Sequence, residues 1–543
     1  MPDNSPMSAS TLREATEGAP VELHATLAQL LGPEHVLIAA DALDYYSSDV
    51  FEQGVPAEMV IRPGTCEEAA SAIRLCAEAG RAVIARGAGL SYTGGYLPIR
   101  PQSVILDLSR LDRILEVNAD DLYATVECGV TWHQLHQALD PKGLRAAYWG
   151  TVSGFHTTIG GALSQGAAHF GCAEFGSSSE NCLGLDVALV DGTIVTTGSA
   201  SSRFAPTPFY RSYGPDLTGL FLNDTGALGF KLRATLALVP KPTHQRFASI
   251  AFPTLEQMLN SMAEASRLGL GAEIGGWSPE LARRFSSVSS DLGEDLKYLA
   301  GVVRSGTSML AGLKDAALMA LAGRRDWDGQ FFLMHVAIEA MGDAAAAEKL
   351  SALDSIAERH GGRSIPPSYP RAHHARPFSD LRDSSFTAKE ERTLPTHGLC
   401  PHSRAVHVAN EVYEVFRRHA ALMDEHEITW ALITSIVGRR TTLIEPLMHY
   451  HDARGEHFQR IPRQGMSPLK FGDADGAQID ALRTIRRSLT DMFMRNGCAH
   501  LQIGKTYPYR DGRAAATWAL LEGLKKQLDP RGLVNPGSLG LAG

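Results

Sequence analysis

The 543-residue sequence has no run of roughly eighteen consecutive apolar residues, so nothing in it reads as a membrane-spanning helix. Its opening, MPDNSPMSASTLREATEG, lacks the apolar core of a secretory leader. Basic charge is not in excess. The formal net charge is −9, which removes the electrostatic case for nucleic acid or an anionic membrane surface as a partner. Cysteines are few and dispersed, at Cys66, Cys76, Cys128, Cys172, Cys182, Cys400 and Cys498. They form no CxxC pair, and an odd, scattered set suits a reducing compartment rather than a disulfide framework. These absences predict a cytoplasmic globular protein.

Glycine, by contrast, is concentrated in two stretches. The first is RGAGLSYTGG, Arg86 to Gly95, which follows the short apolar run Ala82-Val83-Ile84-Ala85. Glycine at this density usually marks a place where a ligand or another backbone comes close. The spacing is not that of a Rossmann fingerprint, which needs G-x-G-x-x-G opening a helix. Here Pro98 and Pro101 follow, and then SVILDL (Ser103 to Leu108), which reads as a strand. The loop joins strand to strand, so any grip on phosphate comes from turn amides. By itself the stretch is equally an ordinary surface turn. The second region is YWGTVSGFHTTIGGALSQGAAHFG, Tyr148 to Gly171. Its small residues admit close backbone approach, and its hydroxyls at Thr151, Ser153, Thr157, Thr158 and Ser164 add donors.

The length allows two to four domains. Residues 1–20 read as a loose tail. In VIRPGTCEEAASAIRLCAEAGRAVIARGAG, Val60-Ile61 is a short strand, and Thr65 caps a helix whose Ala69, Ala70, Ile73 and Ala77 share one face. Gly80 ends it, and the next strand delivers the glycine loop. LYATVECGV is a further strand, TWHQLHQAL a helix, and LGLDVALVDGTIVTTG a hairpin about Asp191-Gly192. LGFKLRATLALVPKP closes this region with a strand. Residues 21–242 thus form one mixed α/β domain, 246–490 a second, and 491–543 a C-terminal segment. RSIPPSYPRAHHARPFSD, between Arg363 and Asp380, reads as a long proline-rich irregular loop.

At this point the sequence resembles the vanillyl-alcohol oxidase/p-cresol methylhydroxylase superfamily of FAD enzymes. The resemblance rests on VIRPGTCEEAASAIRLCAEAG, RGAGLSYTGG, LDLSRLDRILEVNADDLYATVECGVTW, TTIGG, LGLDVALVDGTIV, PDLTGLFLNDTGALGFKLRATLALVPKP and LDPRGLVNPGSLG, in this order over nearly the whole chain. It implies an α+β protein with a p-cresol methylhydroxylase-type FAD-binding domain of two subdomains, built from both ends of the chain. An α/β cap, the substrate domain, covers the flavin. Arg86, Gly87, Ala88, Gly89, Leu90, Ser91, Tyr92, Gly94 and Gly95 would wrap the FAD diphosphate, with Thr157, Thr158, Gly160 and Gly161 as the partner loop. Gly229 and Asn535 complete the set. Leu90 stands where one subgroup carries a flavin-tethering His, and the 148–161 stretch has no Cys for a second link. The flavin is therefore expected to be non-covalent.

The resemblance also implies hydride removal from a carbon bearing oxygen, or from a benzylic carbon para to a phenol. HLQIGKTYPYRDG (His500 to Gly512) is similar to the substrate-anchoring segment of the phenol-oxidising branch, with Tyr509-Arg510 and nearby Tyr507 as anchors. AHLQIGKT is not a P-loop, because Ala499 replaces its first Gly and Pro508 interrupts the helix. The metal-binding HxGDGNxH of the 2-hydroxy-acid branch is absent. Glu445, His449 and His451 lie in its place, and no metal is expected. The Asp that follows IGG in the phenol branch is also missing, which leaves His169 or His156 as base. The expectation is an FAD-dependent oxidoreductase acting on CH–OH in an alcohol or 2-hydroxy acid. The alternatives are a vanillyl-type enzyme of para-substituted phenols, or a flavin-binding protein without turnover. An aromatic or carboxylate-bearing substrate fits. The electron acceptor (oxygen, quinone or cytochrome) and homo-oligomerisation stay open, although Ala167 beside the second loop favours a dehydrogenase.

Overall fold

A computed structural model describes residues 22–288, 330–375, 377–378, 392–451 and 476–542, so the expected tail lies outside the described residues. Three sheets organise the chain. The first contains β1 (Val36–Leu37), β2 (Met59–Ile61), β3 (Ala82–Arg86) and β4 (Ser103–Asp107), in the order β1-β2-β4-β3. β3 and β2 both run parallel to β4. The helix Cys66–Glu78 makes the crossover, and its Thr65 cap accepts the Glu68 N–H as the sequence predicts. Its Ala69, Ala70, Ile73 and Ala77 are buried against the sheet.

The second sheet is antiparallel: β5 (Ile114–Asn118), β6 (Tyr123–Glu127), β7 (Leu144–Ala146), β8 (Cys182–Ala188), β9 (Ile194–Thr196) and β10 (Phe230–Pro240). The β8–β9 hairpin turns at Asp191-Gly192. Leu189 and Thr193 still pair, which leaves a three-residue loop with Gly192 at φ +82° rather than a two-residue turn.

The third sheet has eight antiparallel strands, from β11 (His244–Phe252) to β18 (Thr441–Tyr450), through β12 (Glu273–Trp277), β13 (Phe332–Ala340), β14 (Arg363–Ile365), β15 (Arg392–Pro395), β16 (Gly398–Pro401) and β17 (Thr429–Val437). Helices Leu255–Arg267, His402–Arg418 and Gly476–Arg495 bury their apolar faces in its core.

The proline-rich stretch from Arg363 is not irregular where it is described. It supplies β14 and then the helix Ser368–Ala375. Pro366 and Pro367 precede this helix, and Pro370 falls in its first turn, where no intrahelical N–H bond is lost. Residues 376 and 379–391 lie outside the described residues.

The far end of the chain returns to the first sheet. Val534 bridges Val83 in parallel, and Asn535 N–H donates to the Val83 carbonyl at 2.9 Å. Lys525, buried, donates to Asp529, Ala227 O and Val534 O, which fixes this return.

Candidate active site

β3 delivers Arg86, and the next residues coil back over its side chain. A Cβ on Gly89 (φ +72°) would sit 2.2 Å from Arg86 Nη2, so only glycine lets the loop fold this closely. The Arg86 guanidinium lies over the rings of Tyr46, Tyr45 and Tyr96, at 4.7, 4.9 and 5.5 Å. Its Nε and Nη2 are buried with no acceptor among the described residues. Such donors are costly to leave unmet, and an anion at this loop would meet them. Ala88, Leu90 and Ser91 continue the loop half-buried, and Ser91 Oγ pairs with Thr93 Oγ1 at 3.0 Å. Asp49 pins the far end by accepting the N–H groups of Gly94 and Phe51 at 2.7 Å and of Glu52 at 2.5 Å. Burial pushes its carboxyl up to about 6.

The second glycine stretch touches the first. A Cβ on Gly87 would lie 2.4 Å from Thr158 Oγ1. Thr158 caps the helix Ile159–Gln165 through Gly161 N, and Thr157 Oγ1 pairs with Ser153 Oγ at 2.8 Å. Gly160 packs on Cys128, where a Cβ would come within 2.6 Å of the cysteine's own Cβ. Gly229 is a packing glycine by the same measure, 2.6 Å from Val187 Cγ1. Asn535, held at φ +39°, donates to the carbonyls of Gly95 (2.8 Å) and Thr225 (2.7 Å) and accepts from Lys505 Nζ (3.0 Å). It ties loops together.

The last loop residues meet the third sheet and the C-terminal segment in a polar cluster, buried at His397, Tyr507 and Arg486 and half-buried at Tyr92, Glu445, His500 and Gln502. Glu445, on β18, lies 3.7 Å from His397 Nδ1, too far for a hydrogen bond. Burial raises the Glu445 carboxyl to about 7, and a hydrogen bond from Tyr92 lowers it in part. Gln502 Nε2 donates to the Tyr92 hydroxyl at 3.1 Å. The Tyr507 hydroxyl accepts from His397 N at 2.8 Å, and His500 stacks on the Tyr507 ring at 4.2 Å. Burial pulls His397 down to about 3 and His500 to about 4, so both are neutral imidazoles near pH 7. The same cause raises the Tyr92 and Tyr507 hydroxyls. Arg486, from helix Gly476–Arg495, is buried behind them and donates to Tyr92 O at 2.6 Å.

Tyr507 is therefore inside this cluster. Tyr509 is half-buried beneath Arg513, and Arg510 is exposed over the Trp518 ring at 5.2 Å, away from it. His169 faces a different set. Its Nε2 lies 2.7 Å from His373 Nε2, and burial pulls it down to about 4. His449 bonds Thr393 Oγ1 rather than Glu445, and no group of three or more metal-ligating side chains occurs among the described residues. Glu445, His397, His500, Gln502 and Arg486 were not singled out as substrate-site residues by the sequence. For Glu445 the signal was present as an acidic residue inside an apolar strand.

This arrangement defines a flavoprotein architecture in which a glycine-loop domain is closed by a returning C-terminal segment and faced by a large antiparallel sheet. The chain carries an FAD-binding domain and has the fold of the vanillyl-alcohol oxidase/p-cresol methylhydroxylase flavoproteins. Residues 57–198 match the family model described as FAD binding domain. The fold is similar to that of p-cresol methylhydroxylase (TM-score 0.71, 16% identity, 97% of each chain). It is also similar to that of the 4-ethylphenol oxidase from Gulosibacter chungangensis (TM-score 0.69, 18% identity, 100% of this chain and 99% of the other). In sequence it is similar to the mitochondrial D-lactate dehydrogenase [cytochrome] of Kluyveromyces lactis, 29% identical over 44% of this chain and 41% of that protein. The glycolate oxidase subunit GlcD of Bacillus subtilis is 28% identical over 44% of this chain and 49% of that subunit. The chain thus spans less than half the length of these curated relatives.

Among this chain's residues, the unmet Arg86 donors and the glycine cradle of 87–95 against Thr158 fit the anionic diphosphate of FAD. No described helix is long and apolar enough to cross a membrane.

Proposed function

We propose that the protein is an FAD-dependent oxidoreductase that removes a hydride from the CH–OH carbon of a small alcohol or 2-hydroxy acid, with Glu445 taking the hydroxyl proton. The observation that carries this reading is a half-buried carboxyl raised to about 7 where the cofactor loop, the third sheet and the C-terminal segment meet. A general base works best when its pKa lies near the working pH. When bound, FAD supplies the hydride acceptor. Arg86 and the loop 87–95 hold its diphosphate with Thr157 and Thr158, and Leu90 leaves it untethered. Tyr92 orients Glu445 and is itself held by Gln502, while the neutral His397 beside them places no positive charge against the carboxyl. Arg486 stiffens Tyr92 through its carbonyl.

The D-lactate and glycolate enzymes among the sequence relatives support a CH–OH donor. A second reading, oxidation of para-substituted phenols, is favoured by the hydroxyls of half-buried Tyr92 and buried Tyr507, which can flank a phenolate. The free, scattered cysteines among the described residues support a reducing, cytoplasmic setting. Anaerobic mixing with D-lactate, glycolate and 4-ethylphenol tests both readings. Bleaching of the flavin by a hydroxy acid supports the first, and bleaching by the phenol alone the second. A protein that binds FAD stoichiometrically yet is bleached by no alcohol, hydroxy acid or phenol is a binding protein without turnover.

A further inference from the structure

Two thiols stand opposite each other on the flank of this cluster. Leu399 and Ala499 form an antiparallel bridge and exchange both backbone hydrogen bonds, at 2.8 and 2.9 Å. The next pair along such a ladder is Cys400 with Cys498, in the non-hydrogen-bonded position. Facing Cα atoms there lie about 4.5 Å apart, within the range that a disulfide spans. Both side chains are on the same face and both are buried. Each thiol is the largest single influence on the other's ionisation, and the nearby Arg404 favours the thiolate of both. The pair joins β16, which directly follows His397, to the segment that carries His500 and Tyr507.

We propose that Cys400 and Cys498 form a reversible cross-strand disulfide that staples the strand after His397 to the segment holding His500 and Tyr507. The oxidant is a small peroxide, since only a small reagent reaches buried sulfur. One thiol attacks the peroxide and becomes a sulfenic acid with release of water. The second thiol then displaces hydroxide from that sulfur, and a second water leaves. Two thiols and one hydrogen peroxide thus give one disulfide and two waters, and a dithiol reductant reverses the bond by exchange.

The test uses the full-length holoprotein incubated with hydrogen peroxide. Non-reducing peptide mapping is expected to show a Cys400–Cys498 cross-link and an intact mass lower by two hydrogens. The thermal midpoint should rise by several degrees, because the bond closes a long loop, and dithiothreitol should restore the original value. Cys400→Ser and Cys498→Ser should each lose the cross-link, and the midpoint of each should not rise with oxidant above that variant's own value without it. Methyl methanethiosulfonate labelling shows whether each thiol is reached. Both thiols labelled singly with no cross-link, a cross-link to another cysteine such as Cys128–Cys182, or two thiols unreactive to both reagents would each overturn the proposal.

Discussion

His397, buried, and His169, half-buried, are imidazoles on the seam between the glycine-loop region and the third sheet, yet their surroundings differ. Around His169 the carboxylate is already engaged. Glu273 bonds His374 Nε2 at 2.9 Å, and although burial opposes the charge of each, their mutual attraction leaves Glu273 lowered and His374 raised. Tyr369 stacks on His373, and Arg145 and Glu339 close a buried bidentate pair close by, at 2.6 and 2.8 Å. Around His397 the carboxyl has no cationic partner within hydrogen-bond reach among the described residues and sits near pH 7. A carboxylate fixed in an ion pair holds two parts of a protein together. One balanced between its two forms can exchange a proton. On the proposed reading, the first region serves assembly and the second chemistry.

The largest expected effect concerns the cradle that both regions share. Gly89→Val should abolish FAD retention, because a branched side chain cannot occupy the space filled by Arg86. Stoichiometric FAD in a folded Gly89→Val protein, read by absorbance, would reduce the loop to a turn. Next, Glu445→Gln should slow anaerobic flavin reduction by about 10²–10⁴-fold while leaving FAD bound. The base is active when ionised, so the wild-type rate should rise with pH through about 7 and then level off. The variant should lose that step, and a rate unchanged by the substitution would break the comparison. Tyr507→Phe removes one hydrogen bond to His397 N, about 0.5–1.5 kcal/mol, and should slow reduction by several-fold.

Substitutions in the other region should act on stability. Burial holds His169 near 4, while an unfolded imidazole titrates near 6.5. The unfolded state therefore binds more protons between those values, and stability is lost as pH falls from about 6.5 towards about 4. His169→Asn should flatten this acid dependence in denaturant titrations and change the reduction rate little. A loss of rate matching that of Glu445→Gln would return His169 to the chemistry. The smallest effect is expected for Arg510→Ala. The side chain is exposed over Trp518, so both reduction rate and stability should stay within about 0.5 kcal/mol of wild type.

Much of the first two sheets is legible in the sequence because their signals are local. Thr65 caps its helix, Gly80 ends it, and Asp191-Gly192 turns its hairpin, each within a few residues of what it controls. The helix at Ser368 escaped because prolines tolerated in a first turn look the same in sequence as prolines in a loop. The polar cluster is non-local. Tyr92, His397, Glu445 and Tyr507 come from four distant positions, and no spacing rule links them. Arg510 was attractive as the neighbour of Tyr509, but adjacent residues of an irregular segment can point to opposite sides. Here Tyr507 enters the cluster, while Tyr509 lies beneath Arg513 and Arg510 over Trp518.

The return of Asn535 to the first sheet has a consequence for biosynthesis. Its amide reaches back 440 residues to Gly95 and 310 residues to Thr225. A ribosome making this chain releases the glycine loop long before it adds the residues that tie the loop down. The nascent protein must carry an unfinished cradle while 440 further residues are added, with slow, long-range contacts still to be made. Closure of the cradle then waits on synthesis of the Asn535 segment, and a cut shortly before Asn535 would loosen the glycine loop.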